Sequence, residues 1–148
     1  MQRFSTNLVS ICFVATGFLV AVGCSGRVQP PGKNIQLASN TTWTSEGIQI
    51  QAGQTVTIRA SGSYRFDSLG NECGPEGIAE AAPHTGKWPV SALTGLALIG
   101  RIGKDGTPFF IGRKITKRAE SSGMLYLAVN DDIVSENTGS LMVNIQID

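Results

Sequence analysis

The sequence predicts an all-β fold of two antiparallel sheets packed face to face, and three observations predict it. Apolar residues recur with a period of two in Ile48 and Ile50, in Val56, Ile58 and Ala60, in Leu125, Leu127 and Val129, and in Leu141, Val143, Ile145 and Ile147. Glycine-rich turn signals separate these runs. No amphipathic helical pattern extends beyond two turns. An alternating strand has one dry face, and a chain of such strands hides those faces by stacking one sheet on another.

Taken in chain order, the first element lies outside that fold. Residues 8–22 form an apolar run behind Arg3 that ends in Ala21-Val22-Gly23-Cys24. The run is short for a bilayer span and closes on small residues, so residues 1–23 read as a cleaved secretory signal. "AVGC" resembles the bacterial lipobox, in which a diacylglycerol is attached to the cysteine thiol and the chain is cut before it. That resemblance implies lipidation of Cys24, a membrane contact through that lipid and a place in the cell envelope. Ser25, by resemblance to enterobacterial sorting signals, implies the outer membrane; without the lipid the protein would be secreted. The following "SGRVQPPGKN" is polar and rich in Gly and Pro and suits a tether; the folded body is expected to start near Ile35 or Trp43, and the division taken is residues 24–40 as lipidated Cys24 and tether and residues 41–148 as the sandwich domain.

Cleavage before Cys24 removes 23 of 148 residues and leaves 125, enough for one core and too few for two. Loss of Arg3 takes Lys+Arg from 12 to 11 against 11 Asp+Glu, so the mature chain is formally neutral. No basic stripe survives, and nucleic acid is not an expected partner. Cys12 falls in the signal and Cys24 carries lipid, which leaves Cys73 alone and excludes a disulfide framework.

Within the domain, the runs 48–50 and 56–60 flank the turn signal Ala52-Gly53-Gln54 and read as a hairpin with one dry face. Residues 64–89 have no clean period and read as a long loop punctuated by Gly and Pro, where sites tend to sit. "LALIGRIGKDGTPFFIG" sets a Lys104-Asp105-Gly106 turn between two further apolar runs. Between the last two alternating runs lies "NDDIVSENTG", residues 130–139, dense in oxygen-bearing side chains.

Most catalytic chemistries lack their residues. His84 is the only histidine, and no nucleophile signature surrounds it, Cys73 or a serine. One Cys and one His do not make a zinc site. Glu72, Glu76, Asp131 and Asp132 could be paired for glycoside cleavage, yet they read equally well as solvated loop charges. "GKDGTPFFIG" precedes no helix and holds no Walker lysine, so no phosphate cradle is implied. The chain is not expected to be an enzyme. Calcium, a hard cation that takes about 6–8 oxygens, suits residues 131–137, although Asp, Asn and Gly also favour ordinary turns.

In order, "WTSEGIQIQAGQTVTIRASGSY", "CGPEG", "LIGRIGKDGTPFFIG", "GMLYLAVNDD" and "ENTGSLMVNI" resemble the PA-I galactophilic lectin family, calcium-dependent galactose-binding proteins with a small jelly-roll-like β-sandwich. The resemblance covers residues 43–147. It implies a calcium ion held by Asp131, Glu136 and Asn137 with backbone carbonyls near Asp67 and Val134, and a sugar whose hydroxyls reach that ion. Asp131, Asp132, Glu136, His84 and Trp88 are the implied sugar-binding residues. Glu136 stands where the family has asparagine or aspartate, and the 131–137 loop is two residues shorter than in the galactose lectin. "EAAPHTGKW" holds His84 but no following glutamine, and Trp88 reads either as a stacking face for a pyranose or as a core anchor beside Pro89. The expected function is a surface-anchored, calcium-dependent carbohydrate-binding lipoprotein with galactosides as the first candidate among glycans. The alternative is a structural or interaction lipoprotein that keeps the sandwich without a sugar site. Oligomeric state is left open.

Overall fold

A computed structural model describes residues 32–83 and 85–148 of the chain. The signal, Cys24 and His84 lie outside the described residues. The elements run β1 (Lys33–Ala38), β2 (Thr44–Ile50), β3 (Thr55–Ser61), β4 (Tyr64–Arg65), β5 (Glu72–Cys73), β6 (Leu98–Ile102), β7 (Phe109–Phe110), β8 (Lys114–Arg118), β9 (Gly123–Val129), a 3-10 turn at Val134–Glu136 and β10 (Thr138–Ile147). The all-β expectation holds: two antiparallel sheets stack with their apolar faces together.

The larger sheet is organised around β10, the longest strand. Met142–Ile145 pair with β1 on one edge and with β3 on the other, while Thr138 and Gly139 pair with Arg65 and Tyr64 of β4. Strand β8 extends this sheet beyond β3, and β5 extends it beyond β4. The smaller sheet has the order β2-β9-β6-β7. Its β6–β7 hairpin confirms the turn read at Lys104-Asp105-Gly106, with Ile99 opposite Phe110 and Gly100 opposite Phe109. Only glycine fits at Gly106, because a Cβ there would lie 1.9 Å from the Ile102 carbonyl oxygen.

Alternation places the core where the sequence expects it. Ile48, Ile50, Val56, Ile58, Leu125, Leu127, Val129, Leu141, Val143 and Ile145 are all buried between the sheets. Two expectations are corrected. The boundary at residue 40 is too late, and of the two starts expected the earlier one, near Ile35, agrees with the structure: Lys33–Ala38 form β1, with Ile35 and Leu37 in the core and a full register against β10. A strand two apolar residues deep is easily hidden behind a Gly- and Pro-rich lead, and the edge of β10 is what stabilises it.

Residues 48–60 are likewise not a hairpin. Strand β2 pairs with β9 in the smaller sheet and β3 pairs with β10 and β8 in the larger one, so the turn between them arches from one sheet to the other. The arch is held from outside its own strands. Gly53, at a φ of 90°, donates its N–H to the Ala119 carbonyl at 2.8 Å, and the Ala52 N–H meets Ser122 Oγ at 2.9 Å. Both dry faces then point into one core, where a hairpin would have put them side by side in one sheet.

Candidate functional site

The quoted loop joins the two sheets, because β9 belongs to the smaller sheet and β10 to the larger. At its start Asn130 is fully buried and works as a clamp. Its Oδ1 accepts the Val90 N–H at 2.9 Å, and its Nδ2 faces the carbonyls of Val90, Leu93 and Thr94 at 3.1, 3.2 and 3.0 Å. Its backbone N–H donates to the Ala97 carbonyl, and its own carbonyl accepts the Leu96 N–H, both at 2.8 Å. The irregular segment 90–97 is thereby fastened to the end of β9. Leu96 sits at a φ of 62°, a region that a side chain rarely adopts. Its carbonyl accepts the Tyr64 hydroxyl at 2.7 Å, with the Cys73 thiol 3.8 Å away. Burial first, then Cys73 and Asp131, push the Tyr64 phenol far up; burial and, secondarily, the charge of Asp131 push the Cys73 thiol up.

Asp131 continues the inward phase of Leu125, Leu127 and Val129, and Asn137 lies on the inward phase of Leu141, Val143 and Ile145. Accordingly Asp131 is only 5% exposed and Asn137 only 2%. Asp131 Oδ1 accepts the Ile133 N–H at 3.0 Å and so starts the turn. The carbonyls of Ile133 and Val134 accept the N–H groups of Glu136 and Asn137 at 3.1 and 3.2 Å, which closes the 3-10 turn. Asn137 Nδ2 donates to the Ser39 carbonyl at 3.0 Å, so its Oδ1 is turned away from that contact. Ser39, itself buried, sends its N–H and its hydroxyl to the Gly139 carbonyl and locks the strand that follows.

The bonds among the described residues do not use every buried oxygen of Asp131 and Asn137. Asp131 Oδ2 and Asn137 Oδ1 are buried with no hydrogen-bond partner. A buried polar oxygen without a partner is costly, and a carboxylate oxygen more so. Both are hard acceptors of the kind calcium binds, and they belong to residues that the resemblance to the galactophilic lectins implies as ligands. The residues present therefore fit the ion on this count. No three His, Cys, Asp or Glu side chains gather into a metal cluster among the described residues. Calcium does not need such a cluster, since amide and backbone oxygens serve it as well.

The other expected residues divide. Glu136 is exposed at the end of the 3-10 turn. Asp132 is half-buried and accepts the Thr85 N–H, which ties the loop to the middle segment. Asp67 lies at the tip between β4 and β5, where its carboxylate accepts from Leu69 and Asn71 and its carbonyl accepts the Gly70 N–H at 3.3 Å. The Asn71 amide, helped by the loop N–H groups, holds that exposed carboxyl below the usual range. Trp88 packs against the core with its indole pressed on Gly95, where a Cβ would meet the ring at 2.3 Å. This contact is what the core-anchor reading expects, while the ring remains only partly buried. Glu72 and Glu76 are exposed and paired with Arg65 and Arg113 at 3.3 and 2.8 Å. The Arg113 guanidinium lowers the Glu76 carboxyl.

Asn130, Ser39 and Leu96 are residues that the sequence reading missed. Asn130 stands inside the quoted motif but looks like one more turn residue, and its partners lie 36 to 40 positions away. A polar residue directly following a strand as apolar as β9 was the available signal.

No protein-family model matches the chain, and no curated protein matches it in sequence. Among solved structures the chain is similar to the EclA N-terminal domain, described as a PllA-like lectin, with a TM-score of 0.61 and 23% identity. The match covers 78% of this chain and 95% of that one. The shared property is the fold, a β-sandwich of two antiparallel sheets.

Proposed function

We propose that this chain is a calcium-dependent carbohydrate-binding protein without enzymatic activity, whose saccharide site lies at the 131–137 loop. The observation that carries the reading is the pair of buried, partnerless oxygens on Asp131 and Asn137, at the junction of two sheets with a lectin-like fold. Asp131 and Asn137 would hold the ion from side chains; exposed Glu136 flanks them and is free to approach from the solvent side. Calcium supplies a hard cation to which vicinal sugar hydroxyls are attracted. The chain's own contribution is to exclude water around Asp131, to aim it through the Ile133 N–H, and to fix the Asn137 amide through Ser39.

Galactosides are the first ligand class to try, on the resemblance of the loop motifs to the galactophilic lectins. Affinity per site is expected in the millimolar range, about −4 kcal/mol, with adhesion arising from many copies on one surface. A glycan array followed by calorimetry with galactosides, each repeated in chelator, tests the reading. Saccharide binding that disappears in chelator is the expected result. Binding that survives chelation removes calcium from the mechanism, and silence on every glycan moves the chain to a structural or interaction role.

The surface anchor belongs to the same proposal. "AVGC" predicts a diacylglycerol thioether on Cys24, with stable membrane attachment because several acyl chains hold where one does not. Mass spectrometry of the mature N-terminus is expected to show lipid on Cys24. An unmodified N-terminal residue there would mean an unanchored protein.

A further inference from the structure

Beside the loop, where β9 ends, a crevice of about 70 Å³ is lined by Trp43, Pro89, Ile99, Ala128, Val134 and Asp131, with the core residue Val129 also reaching it. Ile99 and Ala128 pair across β6 and β9 and are buried, yet neither belongs to the core between the sheets. Trp43 forms a wall that is already held in place. The Arg101 guanidinium lies 4.3 Å from the Trp43 ring centroid and 5.4 Å from that of Tyr126, a cation stacked between two rings. Among the described residues, Asp131 is the only ionisable one on the lining.

We propose that this crevice receives a methyl-sized apolar group carried by the saccharide bound at Asp131. The inference rests on the carbohydrate reading above and narrows it to a ligand class. Size decides the occupant. Pockets for whole ligands run to roughly 300 Å³ and more, and an apolar cavity of about 150 Å³ accommodates benzene. Half that volume takes one or two carbons, so the crevice is a subsite and not a second site. Its walls offer apolar surface and its edge is a residue of the proposed sugar site. A hydroxyl placed there would lose water without gaining partners, whereas a methyl group gains by burial. The methyl can come from a 6-deoxy position, an N-acetyl group or an alkyl aglycone.

Calorimetry in calcium with matched saccharides separates these sources: galactose against 6-deoxygalactose, against N-acetylgalactosamine, and against the two methyl galactoside anomers. One methyl-bearing arm is expected to bind about three- to tenfold tighter than its parent, the factor that burial of one carbon supplies. Ala128→Val, which adds two methyl groups to the crevice, is expected to erase that ratio. If this variant fails to melt cooperatively, Ile99→Ala replaces it, and the enlarged crevice is expected to prefer an ethyl over a methyl galactoside. Equal binding within every pair, or a ratio that persists in the variants, overturns the subsite and leaves the carbohydrate reading standing. Absence of binding to any saccharide overturns both.

Discussion

Calcium is expected to raise the melting temperature of this protein, and Asp131→Ala is expected to abolish the rise. A ligand that binds only the native state adds RT ln(1 + [L]/Kd), about 2.7 kcal/mol at 100 times Kd. For a domain of this size that is on the order of 10 °C. The sign of a second substitution makes the test sharper. Asp131 Oδ2 is buried without a partner, so in chelator the native state carries an uncompensated carboxylate oxygen. Asp131→Asn removes that charge and is expected to melt higher than the parent in chelator and lower than it in calcium. Asn137→Ala, which also loses the bond to the Ser39 carbonyl, is expected to melt lower in both. Identical melting curves for the parent protein with calcium and with chelator would take the metal out of the account.

The largest loss of stability from a single side chain outside the main core is expected at Asn130. Truncation to Ala leaves the Val90 N–H without its acceptor and the Val90, Leu93 and Thr94 carbonyls without their donor, around a side chain that is itself fully buried. Each unsatisfied buried group costs about 1–3 kcal/mol, so a total of roughly 3–5 kcal/mol is expected. Asn130→Asp keeps the shape but turns an oxygen toward those carbonyls, and is expected to be no better. Urea unfolding reads the effect as a lower midpoint at unchanged slope. The control is Asn144→Ala, which removes an exposed amide bonded to Asn34 Oδ1 and is expected to stay within about 0.5 kcal/mol. A loss at Asn130 no larger than at Asn144 would refute the clamp. Because Asn130 precedes Asp131 and fastens the segment that follows Trp88 and Pro89, its loss is also expected to weaken the calcium shift.

The identity of the buried faces is written in the local pattern of the chain. Alternation is a local property of the chain, since successive side chains on a strand point to opposite sides. The inward rows of β3, β9 and β10 were therefore legible, and so in principle was the burial of Asp131 and Asn137, which continue those rows. The β6–β7 turn was legible for the same reason: Gly106 answers a steric demand made by a residue four positions away.

The tertiary structure alone decided which strands pair. A hairpin and an arch both need a tight glycine turn between two alternating runs, and they differ only in the partners their backbones find. For residues 48–60 those partners are β9 on one side and β10 with β8 on the other, far away in the chain. Strand β1 depends in the same way on the free edge of β10. The site follows this rule as well. Oxygen-rich residues at 130–137 announce a loop capable of binding a cation, but only long-range bonds turn them to different uses. Asn130 spends its amide on the backbone of residues 90–94, Asn137 gives its N–H to Ser39 and keeps its oxygen unpaired, and Asp131 retains one unpaired oxygen inside. Local sequence specifies which groups are available, and the crossing of distant strands determines which of them are left without a partner.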